Sequence, residues 1–238
     1  VIGLNWKVTS LLFFLVSIPL ILDSLRYLRP ESVLAILSSA LAFGVLGSLL
    51  AFRRMSFIAA AAPHSSLLAV AFGIALAFQT GSGSIMVYSA LIAIGMLSVV
   101  GLMLYRGFDA DAATSVFVGI TSSLSVVTLY YVMTAYGQRL SVSISSLMFG
   151  DPLLISRRDA LTVAAVSALF LLYTLLTYRV HICLGVDRDS VLLSGKNVLI
   201  YDLTLTAMVA VVSTVMLTSV GYIVEHVLIL TPPYIAFL

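Results

Sequence analysis

Charge and cysteine are the two things this chain has least of. Asp, Glu, Lys and Arg make up 9% of its 238 residues, against 61% hydrophobic residues. Ordinary soluble domains are about 45–50% apolar and about 25% charged, and a mean hydropathy of +1.17 excludes that class. Cys183 stands alone, which excludes a disulfide framework, a CxxC redox pair and a thiolate metal cluster. A net charge of +2 is too small to point to a nucleic-acid partner. Enzyme signatures are missing as well: there is no HExxH, no GxSxG and no pair of catalytic acids. Ser194-Gly195-Lys196 is not a phosphate loop, because Asn197 replaces the required Ser or Thr and the upstream glycine is absent. Any ATP chemistry must come from another polypeptide.

What the chain does have is apolar runs long enough to cross a bilayer, which takes about 20 residues. Eight candidate segments stand out, at 8–28, 32–52, 56–79, 84–105, 113–136, 160–180, 198–220 and 223–238. The expectation is an all-α, polytopic helical membrane protein forming a single transmembrane domain over 1–238. The first run is one of many and lacks a small-residue cleavage site, so it does not read as a signal peptide. Breaks are expected at Arg29-Pro30-Glu31, Arg53-Arg54, Gly81-Ser82-Gly83, and over 106–111, 137–156 and 185–196. The last segment contains Pro232-Pro233 and stops in an apolar stretch, so a longer natural C-terminus is expected.

Basic residues in short loops orient the helices. With Lys7, Arg53-Arg54, Arg106, Arg188 and Lys196 inside, the segments alternate; Arg26, Arg29, Arg139, Arg157 and Arg158 fall outside. The outer stretch 137–156 is too apolar for a plain loop and reads as a short helix lying across the outer face. The inner stretch 185–196 reads as a short amphipathic helix, with Asp187 suiting its start and Gly195 its C-terminal cap.

Three ionisable residues interrupt the apolar runs: His64, Glu225 and His226. Each costs roughly 2.5–3.5 kcal/mol near the bilayer centre, so together they suggest a pathway or a site. Two imidazoles and a carboxylate are also a ligand set for divalent zinc, manganese or iron. Plainer readings stand beside this one. His64 can be a hydrogen-bonded packing residue, and Glu225 one half of a structural ion pair. His226 lies about 100° round the helix from Glu225 and need not face the same cavity. His181 and Cys183 read as ordinary interfacial placements, and Asp202 as a hydrated or capping residue near an inner helix end. Tyr130, Tyr131 and Tyr136 read as interfacial aromatics, and Ser122, Ser123, Ser125 and Thr128 as hydroxyls that glue helices.

Four stretches carry a resemblance to a known family. They are Phe52-Arg53-Arg54-Met55-Ser56-Phe57 with Pro63-His64-Ser65; Phe108-Asp109-Ala110-Asp111-Ala112-Ala113; Leu147-Met148-Phe149-Gly150-Asp151-Pro152-Leu153-Leu154; and Val186-Asp187-Arg188-Asp189 with Gly195, followed by Val220-Gly221 and Thr231-Pro232-Pro233-Tyr234-Ile235-Ala236. In order and spacing, over about residues 30–238, these resemble the permease subunit of zinc/manganese/iron-type ABC transporters. The resemblance implies a homodimeric permease in a prokaryotic cell membrane, with cytoplasmic ABC ATPase subunits inside and an extracellular metal-binding protein outside. It implies no permanently bound cofactor, a transported divalent metal ion, and ATP on the partner subunit. Asp187, Arg188, Asp189, Ser190 and Gly195 match the family's ATPase-docking loop.

The family's intramembrane metal pair is an Asp four residues before the His, and here Ala60 occupies the Asp position. The family is apolar where Glu225 and His226 fall. The expectation is that a ligand lost from one helix is replaced from another, so that His64 with Glu225 or His226 holds the ion. A siderophore- or cobalamin-type permease is the alternative within transport. A membrane-embedded metal-dependent hydrolase is the alternative outside it.

Overall fold

The computed structural model describes residues 28–81, 84–140, 144–151 and 155–236, together with 15, 18, 19 and 23; side chains at 144 and 232–236 are outside the description. Every regular element among these residues is a helix. In chain order they are α1 (Pro30–Phe52), α2 (Ser56–Thr80), α3 (Ile85–Tyr105), α4 (Ala110–Tyr136), α5 (Ile144–Phe149), α6 (Arg157–Val186), α7 (Arg188–Leu193), α8 (Val198–Val220) and α9 (Tyr222–Ala236), with a single 3-10 turn at Gly137–Arg139. The six long helices α1–α4, α6 and α8 are long and apolar enough to span a membrane. Most of the expected span at 8–28, with Lys7 and Arg26, lies outside the described residues, as do Pro152-Leu153-Leu154 and the chain end at 237–238. The expected final span at 223–238 is a helix of 15 residues over its described part, shorter than a straight crossing requires.

The helix ends follow local chemistry. Pro30 opens α1 behind an extended Arg29, which uses a residue whose missing N–H costs nothing there. Asp109 caps α4 by accepting from Ala112 N at 2.9 Å. Ser156 caps α6 by accepting from Asp159 N at 3.2 Å and returns a 2.6 Å bond to the Asp159 carboxylate. α6 runs on to Val186, six residues past the expected end, because Arg179 and His181 do not interrupt its backbone ladder; Asp187, extended at φ −148°, ends it.

Two helices form the centre. In α2 and α8, 78% and 67% of the spanning window is buried, whereas the other four spans bury between 22% and 39%. α2 packs against α3, α4, α8 and α9; α1 packs against α6 and α9. Phe43, Leu46, Leu50, Ile58, Phe170, Leu205, Met216 and Ile229 fill the fully buried core. Burial on one side and lipid on the other is what a helical membrane bundle requires. Serine and threonine hydroxyls close on their own helices, as in Thr121 to Phe117 O (2.8 Å) and Ser125 to Thr121 O (2.7 Å), or reach across, as in Ser167 to Ser38 O (3.1 Å).

Two of the sequence stretches singled out above meet here. Gly150 and Gly221 both have positive φ, at 76° and 84°. A Cβ on Gly221 would lie 2.1 Å from Gly150 N, and one on Gly150 would lie 2.5 Å from Val220 O. Only glycine lets the end of α5 sit on the α8–α9 turn. The α5 segment is therefore docked onto the bundle, with Leu147 buried.

Candidate functional site

α2, α4 and α9 converge on His64. Pro63 precedes it inside α2 and removes one backbone hydrogen bond from that turn. The Ser65 and Ser66 hydroxyls bond back to Ala62 O (2.7 Å) and Pro63 O (2.9 Å). From α4, Ser122 Oγ lies 2.8 Å from His64 Nδ1; from α9, Tyr222 OH lies 2.9 Å from the same nitrogen and 3.4 Å from Nε2. Ser122, expected only to glue helices, is thus a partner of the candidate imidazole.

His226 stands one turn after Tyr222 and shares its face. Its ring lies 5.0 Å from the His64 ring, centroid to centroid, at an interplanar angle of 84°. His226 Nδ1 donates to Tyr222 O at 3.0 Å, which assigns the proton to Nδ1 and leaves a lone pair on Nε2. A backbone carbonyl holding one ring nitrogen is the usual way a ligating histidine is oriented. Both imidazoles are half-buried. Around them stand the Ser122 and Tyr222 hydroxyls, which can donate or accept.

Glu225 goes elsewhere. It is fully buried, and Ser66 Oγ donates to its Oε2 at 3.3 Å. Ser213 neighbours the carboxyl without meeting hydrogen-bond geometry, and Oε1 has no partner among the described groups. Among the described residues no three of His, Cys, Asp and Glu gather into a metal-holding group, so Glu225 does not form a triad with the two histidines in this conformation. Successive residues on a helix diverge by about 100°. His226 turns to His64 of α2, and Glu225 to Ser66 of α2 and toward Ser213 of α8.

Just before the start of α2, about three turns from His64, lies a second histidine cluster that sequence reasoning missed. Asp202 of α8 accepts from Arg53 Nη2, at the α1–α2 turn, and from Arg188 Nη2 at 2.8 Å, on α7. Arg53 Nη1 donates to His181 Nδ1 at 2.7 Å. His181 Nε2–H then donates to Tyr173 OH at 3.1 Å, and Tyr173 to Thr204 Oγ1 at 3.1 Å. His181 is fully buried within this network. Two guanidiniums share the Asp202 carboxylate, which sequence reasoning had left to hydration or capping. The available signal was a lone acid and lone bases of matching charge at one membrane level.

α7 has the expected form. Asp187 caps it, its Oδ1 accepting from Asp189 N (3.1 Å) and Ser190 N (3.2 Å), and the Ser190 hydroxyl donates to Oδ2. The Ser190 hydroxyl, then its N–H, holds the Asp187 carboxyl below the usual carboxylate range. Gly195, at φ 77°, closes the segment with its N–H on Leu192 O at 3.0 Å. Val186 and Leu193 are 76% and 88% exposed, an apolar surface flanking the acidic cap. Arg188 reaches Asp202 yet stays exposed beside its neighbours.

The likenesses to known proteins fit this geometry. The model of the ABC 3 transport family matches residues 25–238. The high-affinity zinc uptake system membrane protein ZnuB of Buchnera aphidicola is 28% identical over 196 residues, covering 82% of this chain and 71% of that one. The zinc transport system membrane protein TroC of Treponema pallidum is 27% identical over 211 residues, covering 87% and 69%. Among solved structures, PsaBC from Streptococcus pneumoniae in complex with Fab aligns with a TM-score of 0.73 at 20% identity, covering 92% of this chain and 76% of that one. That likeness establishes a shared fold.

Proposed function

The chain belongs to the ABC 3 transport family, and from that premise we propose that it is the membrane-spanning permease of an ATP-driven importer of a divalent transition-metal ion, zinc or manganese. The observation that supports this most is the His64–His226 pair, two imidazoles from different helices with ring centroids 5.0 Å apart. Small ring rotations bring one nitrogen of each to a shared ion at about 2.0–2.1 Å. Water and the Ser122 and Tyr222 hydroxyls fill the remaining positions. Such ligation is weak enough to exchange, which a transport site needs and a closed four-ligand cage would prevent.

In this reading two copies of the permease form the core in the lipid bilayer of a bacterial cell membrane. An extracellular binding protein delivers the ion, and cytoplasmic ATPase subunits dock on α7 through Asp187, Asp189, Ser190 and the exposed Leu193. Gly195 sets the angle of that docking segment. Glu225 bonds α9 to α2 and positions His226 rather than ligating. The zinc and zinc-uptake relatives favour this reading over an organic-chelate permease or a membrane-embedded hydrolase.

Uptake of radiolabelled zinc or manganese into proteoliposomes holding the permease with its ATPase tests it. ATP-dependent uptake by wild type, lost in His64→Ala and His226→Ala while the ATPase stays bound, is the expected result. Uptake by both variants at the wild-type rate overturns the site.

A further inference from the structure

We infer that the cavity directly inward of the histidine pair is the release chamber for the cation, with Asp111 and Thr114 of α4 as its oxygen ligands. This rests on the transport reading above for its direction of flow. The cavity is an open groove of about 610 Å³ lined by Arg54, Ala60, Asp111, Thr114, Ser115 and Leu230, among others. Every helix that builds the His64 cluster also builds this cavity. On α2, Ala60 lies four residues before His64. On α9, Leu230 lies four residues after His226. On α4, Thr114 and Ser115 lie eight and seven residues before Ser122. Four residues advance a helix by about 6 Å, so all three walls place the cavity one to two turns nearer the end that carries Arg53 and Arg54. Arg188 of α7 lines a neighbouring pocket with those two arginines, which fixes this as the α7 end.

The walls carry chemistry suited to a cation. Thr114 is only 9% exposed, and its Oγ1 has no hydrogen-bond partner among the described groups. Hydroxyls in membrane helices ordinarily bond back to their own backbone, as Thr121 and Ser125 do one face along; Thr114 holds its oxygen in reserve. Asp111, Thr114 and Ser115 stand at i, i+3 and i+4, on one face of α4. A carboxylate with hydroxyls and water suits a partly hydrated divalent ion that leaves imidazole ligands. Arg54 on the same cavity wall opposes long residence and favours onward release.

Two measurements on the full chain with its ATPase test the chamber. In a Cys183→Ser background, Thr114→Cys and Ala60→Cys are exposed to a membrane-impermeant thiol reagent in inside-out and right-side-out vesicles. Labelling from the α7 side alone supports the chamber; labelling from the other side, or from neither, overturns it. This readout needs no transported metal, so it stands apart from a failure of the transport reading, which would show as no uptake by wild type. Separately, Asp111→Asn and Thr114→Val should lower the maximal zinc uptake rate about tenfold, one lost ligand contact in a barrier. The half-saturating zinc concentration should stay unchanged, because the His64 site fills first. A wild-type maximal rate in both variants overturns the chamber; a carboxylate that only balances the α4 dipole would lower stability and leave that rate alone.

Discussion

His181 and His64 are both hydrogen-bonded imidazoles set in apolar helices, yet their surroundings follow opposite rules. His181 is fully buried, and charged groups fix its bonding: the Asp202 carboxylate only accepts and Arg53 can only donate, so His181 Nδ1 accepts and its Nε2–H points to the Tyr173 hydroxyl. Such a network has one arrangement, and it ties α1, α6, α7 and α8 together at one end of the bundle. His64 is half-buried among Ser122, Tyr222 and His226, groups that can each donate or accept. A cluster without fixed charge can change partners cheaply, whereas a cluster of fixed, desolvated charges cannot. The first arrangement suits a clamp between α7 and the bundle. The second suits a site that must fill and empty.

The sharpest break in this comparison is Asp202→Ala. It leaves Arg53 buried and unpaired and frees Arg188 from the bundle. The expected loss is about 3–5 kcal/mol, the range for stranding one partner of a buried ion pair, read as a fall in the melting temperature of the purified permease. A variant that melts with wild type would show that the clamp carries no stability.

Next in size are His64→Ala and His226→Ala, each expected to cut metal uptake roughly hundredfold, about 2.7 kcal/mol on the barrier. Their melting temperatures should stay close to wild type, because the half-buried cluster holds no fixed charge. His181→Ala should do the reverse, lowering thermal stability while uptake per folded molecule persists. Equal behaviour of the three variants would erase the distinction between the clusters.

Much of the fold was legible because the bilayer imposes it. Runs of 20 or more apolar residues have no other stable form, and Arg53-Arg54, Asp109, Ser156 and Asp187 mark ends by capping and charge. The α7 helix was legible for the same reason, since an N-cap Asp and a left-handed Gly bracket it. Helix rotation was not legible. Glu225 and His226 are neighbours in sequence, and only packing against Ser66 on one side and His64 on the other decides which one enters the site. Nor was Asp202 legible as a hub, because its partner Arg53 lies 149 residues away, and a lone acid near a helix end has hydration as its default reading.

Smaller effects are expected at α7, the proposed docking helix. Asp187→Lys with Asp189→Lys should weaken ATPase docking about tenfold, within the usual range of coupling between sites, while the permease still inserts. Pull-down of the ATPase and metal-stimulated hydrolysis measure it. The cap has a pH signature of its own. The Asp187 carboxyl is held below its usual range, so the cap is stabilising at pH above the ordinary Asp value and is lost as pH falls through the lowered one. Docking that is flat through that acid window would show the cap to be dispensable.

Ala60→Asp should give the smallest change and the finest discrimination. Ala60 lines the inner cavity one turn before His64, so a carboxylate there would share the His64 face. In the wild-type background it should slow uptake only a few-fold, about 1 kcal/mol of tighter holding. Its partner in a double mutant then identifies the second ligand. If Glu225 ligates the ion, Ala60→Asp restores uptake to Glu225→Ala. If Glu225 instead holds α9 against α2 through Ser66, the added carboxylate lies on the wrong side to replace it, and uptake stays low. His226→Ala is the case that Ala60→Asp should rescue, because the lost imidazole and the new carboxylate both approach the ion beside His64. Rescue of His226→Ala without rescue of Glu225→Ala is the expected pattern in proteoliposome uptake. The opposite pattern would return Glu225 to the ion and make His226 a packing partner of Tyr222.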